Sequence, residues 1–524
     1  MIYKIVSNSC LYPSDRGREF YCNITYLKKM LIKLLISSLA IFLVWLVFKW
    51  IKIKNHWTER NVPHEPPHPI FGSLTFLKHQ NINIWLREIY AKYNNSPYFG
   101  IWFFWRPTLL VNSPVIARNI LIKDSAIFRD RFVSSGDTDP LGGLNLFTVN
   151  DPTWSKIRRQ LTSVFTSAKL KTLQGYLNLK GKELVQRISK ENKKRIDLRL
   201  TFTDYTTDII GSYAFGLQDN VTTTGEGVLR NVTKEFMKYS LFRAASWISI
   251  FFFPALVNIF RFKYFPRCTM DYFRRIFKEM AMQRKASHKE VGDLLDVLLK
   301  VQKESGNEYS DDFIISQAAI MLLGGFDGTG TILTYIIYEL AYNPDMQERV
   351  YQELLQAKQR IGSDDLDYET LAEADYLNSI IKEALRKYIG VGWLDRVAST
   401  DYKVDDNLTI KAGTPVYINT TGMHFDPKYF PEPNQFNPDR FMPENEKNIV
   451  PYTYLPFGEG PRICIGKRFG LILVRFALSS VLLNFEVRKF NDCPSISEIK
   501  TEKLGLFLSP GEPLHVEFVP RLLK

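Results

Sequence analysis

The stretch "PFGEGPRICIGKRFG", Pro456 to Gly470, decides how this chain is read. Cys464 stands between Gly460 and Gly466, with Arg462 two residues before it. Glycines let a backbone come close to a flat ligand and turn its amides inward. Such amides, and the Arg462 charge, favour a thiolate over a thiol. A helix start follows, apolar from Phe469 on, and its N-terminus adds a favourable field. A cysteine in a glycine loop is by itself more often structural or redox-active than metal-binding. The combination of Phe457, Gly460, Arg462, Cys464 and Gly466 is far more specific.

Three further elements gain weight from their order around this loop. In "IKEALRKY", Glu383 and Arg386 are three apart and share a helix face. Alone this is bland, since Glu459 and Arg462 repeat the spacing. It becomes informative beside "FNPDRF", which places Arg440 before the cysteine loop. In "DPTWSKIRR", Trp154 and Arg158 are four apart, and "WLDR" supplies Arg396.

With these residues in order, the chain resembles the cytochrome P450 family of haem-thiolate monooxygenases. The resemblance runs from about Pro63 to Val519. It is strongest toward animal microsomal enzymes, insect ones above all, in "DPTWSKIRRQLTSVFTS", "YELAYNPDMQERV" and "HFDPKYFPEPNQFNPDRF". It implies a mainly α fold, a helix-rich single domain with small β-sheets, and haem b as cofactor. Cys464 would be the proximal iron ligand, in a loop shaped by Phe457 and Gly466. Glu383, Arg386 and Arg440 would form a buried network behind the haem. Trp154, Arg158, Arg396 and Arg462 would hold the haem propionates, with Arg131 as a further candidate. Electrons would come from NADPH through NADPH–cytochrome P450 reductase, with cytochrome b5 as a second donor. Lys156, Arg159, Lys169, Lys467 and Arg468 would lie near the docking face. The substrate would be a lipophilic small molecule.

The stretch "LLGGFDGTGTIL", 322–333, lies in the longest apolar run after the anchor and carries a departure. Gly324, Gly325 and Asp327 match the family's helix opening over the haem, which glycine makes possible. Gly328 stands where the family keeps a threonine that helps deliver protons. Thr329 is rotated about 100° from position 328, and Thr331 lies about one turn further on. Asp327 and Thr329 are taken as catalytic candidates. The missing hydroxyl leaves open a haem-thiolate isomerase or dehydratase, or a haem-binding protein of impaired catalysis. After Tyr388, "IGVGWLDR" replaces the family's proline-rich turn, so Ile389 to Gly392 would line an unusual pocket.

The remaining features set the frame. The 524 residues are 45% hydrophobic and carry net charge +13, with 23% charged side chains. No zinc finger, RNA-binding signature or basic heptad region accompanies that charge, so nucleic acid is the weakest of its explanations. Residues 30–50, "MLIKLLISSLAIFLVWLVFKW", are long and apolar enough to span a bilayer. Lys49, Lys52, Lys54 and Arg60 then favour a cytosolic C-terminal side. With the resemblance to microsomal enzymes, this implies the endoplasmic reticulum membrane, on one N-terminal anchor. Residues 1–29 form an extension of unclear status, with Met30 read as the initiator. Residues 51–70 read as a basic, proline-rich linker, and 71–524 as the haem-binding catalytic domain. Cys10, Cys22, Cys268, Cys464 and Cys493 form no CxxC pair and read as reduced thiols. Periodicity predicts helices over 81–93, 153–165, 170–190, 203–215, 312–342, 344–360, 369–388 and 468–483. Extended segments are expected at 108–112, 402–404, 414–418 and 515–519. The stretch "SWISIFFFPALVNIF", 246–260, reads as core, with a membrane-dipping patch or an apolar entrance wall as the alternative.

Overall fold

The computed structural model describes residues 15–521 apart from 79, 192–194, 218, 288–290 and 307, with side chains from Leu27 on. Much of the expected extension at 1–29, with Cys10 and the Cys22 side chain, therefore lies outside the described residues. The chain forms two units, Met1–Glu59 and Arg60–Lys524. The first carries the helix Asp15–Lys54, and residues 27–60 are long and apolar enough to cross a membrane. The span expected at 30–50 lies inside that helix, and its apolar side chains are exposed.

The second unit is built around the helix Asp311–Tyr342, started by the Ser310 side chain, which accepts from the Phe313 N–H at 3.2 Å. This helix too is long and apolar enough to span a bilayer, but most of its apolar window is buried, so it is a core element. The helix Leu198–Phe215 packs along it. Two of the four glycines exist for that contact. A β-carbon at Gly330 would come within 3.0 Å of the Thr203 backbone, and one at Gly325 within 2.7 Å of Ile210. Gly325 is thus a packing residue rather than part of a helix opening. The helix is continuous through all four positions.

Two predicted helices are divided; the run 170–190 stops after Lys171 and resumes at Gln174. The run 369–388 breaks at Ala374 into Tyr368–Glu373 and Asp375–Lys387. The Glu353 carboxylate, from the helix Pro344–Ile361, accepts the N–H groups of Tyr376 and Leu377 at 2.8 and 2.9 Å. This cap from another element satisfies orphan donors of a helix start. It lies outside the reach of local periodicity.

The strands expected at 108–112 and 414–418 appear as Arg106–Val111 and Pro415–Ile418, paired in parallel. The sheet is completed by Tyr98–Phe103, antiparallel to the first, and Leu394–Val397, antiparallel to the second. Every residue of Tyr98–Phe103 is buried, so the strand lacks the alternation that would reveal it. The proline-rich residues expected in the linker belong instead to the second unit. The Pro63 carbonyl accepts from the Gly100 N–H at 2.8 Å, and His64 bridges to Gly100. The 246–260 stretch divides at Pro254. Ile250, Phe251 and Phe252 are core, while Ile259 and Phe260 are 70% and 59% exposed. The core reading holds before the proline, while after it Val257 is buried and Ile259 and Phe260 are exposed.

Candidate functional site

Cys464 precedes the helix Lys467–Asn484, and its loop is closed by its own N–H donating to the Phe457 carbonyl at 2.9 Å. Gly460 turns the loop at φ +76°, where a β-carbon would collide with the Leu121 carbonyl at 1.9 Å. Only glycine fits there. Cys464 is exposed by surface area, yet enough protein surrounds it that burial pushes its thiol up. The Gly466 N–H and the charges of Arg158, Arg131 and Lys467 oppose that upward push and favour the thiolate.

Arg131, Arg158, Arg396 and Arg462 converge beside the loop. Arg462 stacks on Trp154, 4.3 Å to the ring centre, and donates to the carbonyls of Arg129 at 2.6 Å and Val149 at 3.0 Å. Arg158 donates to the Ile463 carbonyl at 2.9 Å, so it also braces the residue before the cysteine. Arg396 is buried and, among the described residues, donates only to the Asp395 carbonyl at 2.7 Å. Arg131 pairs with Asp395 at 3.1 Å, and Asp130 lies 3.9 Å from Arg462. Four guanidiniums against two carboxylates leave a surplus of two positive charges among the described residues. Burial first, then Arg131 next door, pushes Arg396 down to about 9. Burial, Arg131 and Arg396 do the same to Arg462. A flat group carrying two carboxylates and a metal that takes a thiolate matches this donor set. Haem is such a group, and the residues present fit it.

Glu383 and Arg386 are both fully buried and bonded through two contacts at 2.7 and 2.8 Å. The Glu383 carboxylate also accepts from the Asn437 N–H at 2.9 Å and lies 3.6 Å from Arg440. Arg386 spends its other donors on the carbonyls of His424 and Pro433. The three residues named for this network are thus brought together. His424 was not anticipated, although it opens a quoted motif. Its Nε2 accepts from the Leu455 N–H at 2.9 Å, which leaves Nδ1–H to donate to the Arg386 carbonyl at 3.0 Å. The ring thereby ties the network to the chain entering the cysteine loop. Asp395 was also missed. Besides Arg131 it accepts from the N–H groups of Phe132 and Val133, fixing that loop against the sheet.

On the central helix, Gly324 and Gly328 are exposed within an otherwise buried stretch, and a β-carbon at either would meet nothing within 4 Å. Four residues apart, they open one face. Asp327 is paired with Arg199 at 2.7 Å, a partner 128 residues away that sequence could not indicate. Thr331 Oγ1 donates to Asp327 Oδ1 at 3.5 Å. Thr329 is placed elsewhere: a β-carbon on Gly470 would come within 3.6 Å of its hydroxyl, so it faces the helix after the cysteine loop.

The sequence model of the family described as "Cytochrome P450" matches residues 62–518. Cytochrome P450 6k1 of Blattella germanica is 32% identical over 485 residues, spanning 88% of this chain and 92% of that protein. Cytochrome P450 6j1 of the same organism is 32% identical over 485 residues, with 91% and 95% covered. Cytochrome P450 9b2 of Drosophila melanogaster is 28% identical over 502 residues, with 91% and 97% covered.

Proposed function

Since this chain belongs to the cytochrome P450 family, of insect type, and is a haem monooxygenase, we propose that it oxidises lipophilic foreign compounds with electrons from NADPH–cytochrome P450 reductase. The observation that carries the reading is the accessible Cys464 beside an arginine cluster with two more positive than negative charges. When bound, haem supplies the iron that activates dioxygen, and a thiolate ligand favours O–O cleavage. The protein's part is to hold it: Cys464 on the metal, Arg396, Arg462 and Arg131 toward the carboxylates, Arg158 bracing the loop.

Asp327 and Thr331 are the acid and the hydroxyl we assign to holding protons over the open face. Thr331, about one turn beyond 328, is only a partial substitute for the hydroxyl absent there. Arg159, Lys467 and Arg468 are exposed beside the cysteine loop and would speed docking of an acidic reductase. Lys156 and Lys169 are engaged, with Glu308 and with the Gly292 carbonyl. Cytochrome b5 would use the same face. The apolar helix at 27–60 supports anchorage in the endoplasmic reticulum membrane, with the catalytic unit cytosolic. The exposed Leu241, Phe242, Ile259 and Phe260 support a second apolar contact with lipid.

The test is the carbon monoxide difference spectrum of the reduced protein, followed by turnover with reductase and NADPH. The band typical of thiolate-ligated haem is expected, and its absence would sink the reading. Gly328→Thr has room for its side chain. It should raise the share of NADPH electrons that reach product, measured as product formed against NADPH consumed. An unchanged ratio would mean that Thr331 already fills the role.

A further inference from the structure

After Tyr388 the chain passes Ile389, Gly390, Val391 and Gly392 before the strand Leu394–Val397. This stretch leads into the haem site. Arg396 belongs to the arginine cluster, and a β-carbon on Gly458 of the cysteine loop would meet the Leu394 side chain at 3.3 Å. A second stretch, residues 502–508, lies against the first, with the Leu508 N–H donating to the Gly390 carbonyl at 3.0 Å. It reaches the site too. Phe507 lies 6.4 Å from Phe251 and Phe251 5.8 Å from Phe147, which carries the Arg131 guanidinium at 4.4 Å. Residues 389–392 and 502–508 are neither helix nor strand, so no regular ladder fixes them. Glycine at 390 and 392 adds backbone freedom where a proline would remove it.

Two buried asparagines at the start of the helix Ile82–Lys92 hold both stretches. Asn81 caps that helix, its Oδ1 accepting from the Asn83 N–H at 2.9 Å. Its Nδ2 donates to the carbonyls of Glu502 at 2.9 Å and Gly505 at 2.7 Å. Asn83 reaches across. Its Oδ1 accepts from the Gly392 N–H at 2.8 Å, while its Nδ2 donates to the Leu506 carbonyl at 3.1 Å and to Asn81 Oδ1 at 2.8 Å. The amide's oxygen and both its N–H bonds are thus engaged. An apolar residue of the same size would leave those buried partners unpaired. Gly392 is shaped by this contact, since a β-carbon there would come within 2.2 Å of Asn83 Oδ1. At Gly390 a β-carbon would meet nothing within 4 Å. One glycine admits the asparagine, and the other borders open space.

We infer that Asn83 is a positioning residue for the substrate. By tying 389–392 to 502–508 at one separation, it fixes where the body of a substrate rests relative to Cys464, and with that which carbon is oxidised. It touches no reacting atom and acts through the two stretches it holds. The stiffness that prolines would build into the chain itself is supplied here from another helix. The inference rests on the monooxygenase reading and adds to it the side chain that sets the shape of the site.

The test starts with the parent full chain. Its Gly392 amide should exchange hydrogen at least about tenfold more slowly than in an unstructured peptide, a result that needs neither haem nor a variant. Asn83→Ala should then speed exchange in both stretches together. In the haem-loaded protein two probes are read from the shift of the haem absorption band, without turnover. Imidazole needs only the metal, whereas 1-benzylimidazole must also seat a ring beside it. Asn83→Ala should weaken 1-benzylimidazole about fivefold, the size of one ordinary hydrogen bond, and leave imidazole unchanged. Glu353→Ala, which removes a helix cap outside the site, controls for lost stability and should leave the ratio of the two affinities as it is. A fast-exchanging Gly392 amide, affinities that are unchanged or equally weakened, or the same change of ratio in Glu353→Ala overturns the inference. Loss of the carbon monoxide band in the parent protein would instead overturn the monooxygenase reading, and the exchange result would stand apart from it.

Discussion

His424 shows how much one side chain can join. It bonds the Arg386 carbonyl on one side and the Leu455 N–H on the other, with no route to water. Burial, reinforced by the Arg386 and Arg87 charges, pulls the ring from its usual 6.5 to about 3. The folded value lies below the unfolded one. The contribution is therefore intact above 6.5 and is lost progressively as pH falls toward 3, because the unfolded chain takes up the proton first. At about pH 5 the loss is about 2 kcal/mol. Urea unfolding of His424→Gln and the parent at about pH 7 and 5 should show a shallower acid loss in the variant. Equal losses would assign the acid sensitivity elsewhere. Glu383→Ala is a harsher change. It strands Arg386 as an uncompensated buried charge, with an expected cost of about 3–5 kcal/mol, visible as lower thermal stability and poor haem retention. Arg386 has further partners in the His424 and Pro433 carbonyls, so part of the fork stays satisfied.

Elements were legible in proportion to how locally they are determined. The central helix was expected from residue 312 and starts at Asp311, because its period and its Ser310 cap are both written in adjacent residues. Glu353 is different. It ends one helical run and starts another from 23 residues away, and a window of sequence cannot see it. Glu353→Gln keeps the shape and one of the two acceptor oxygens, so it should cost less than Glu353→Ala, which loses both at about 1–2 kcal/mol. Thermal unfolding of the two variants separates them, and equal midpoints would show that the cap is not what divides the helices. The site followed the same rule. Cys464, the Glu383–Arg386–Arg440 network and the arginines were legible because they sit in compact motifs. Arg199, Asp395 and Glu353 act across the fold and were not. Gly325 was legible only as a glycine, since its reason is Ile210 on a neighbouring helix. Thr329 and Thr331 differ by two residues, and only their neighbours in the fold distinguish them, Gly470 for one and Asp327 for the other.

At the scale of the whole molecule, the catalytic unit is a helical body whose interior holds more positive than negative charge at one place. Burial and the neighbouring guanidiniums push Arg396 and Arg462 each down to about 9, so protein alone accommodates their charges poorly. Removing haem should therefore lower the unfolding temperature by more than lost apolar contact explains, and added salt should recover little of the loss, because buried charges are weakly screened. Arg396→Met should stabilise the haem-free protein and weaken haem retention at once. Calorimetry with and without haem, in both proteins, measures the two opposed shifts. A variant that weakens both states equally would count against the charge argument.

That imbalance also ties the protein to the economy of the cell that makes it. A chain whose interior is incomplete until a dianionic pigment arrives is exposed to degradation for as long as it waits. Its steady amount then follows the supply of the pigment as well as the rate of its own synthesis. An inducer that raised transcription alone would yield mostly chains that are destroyed before they work.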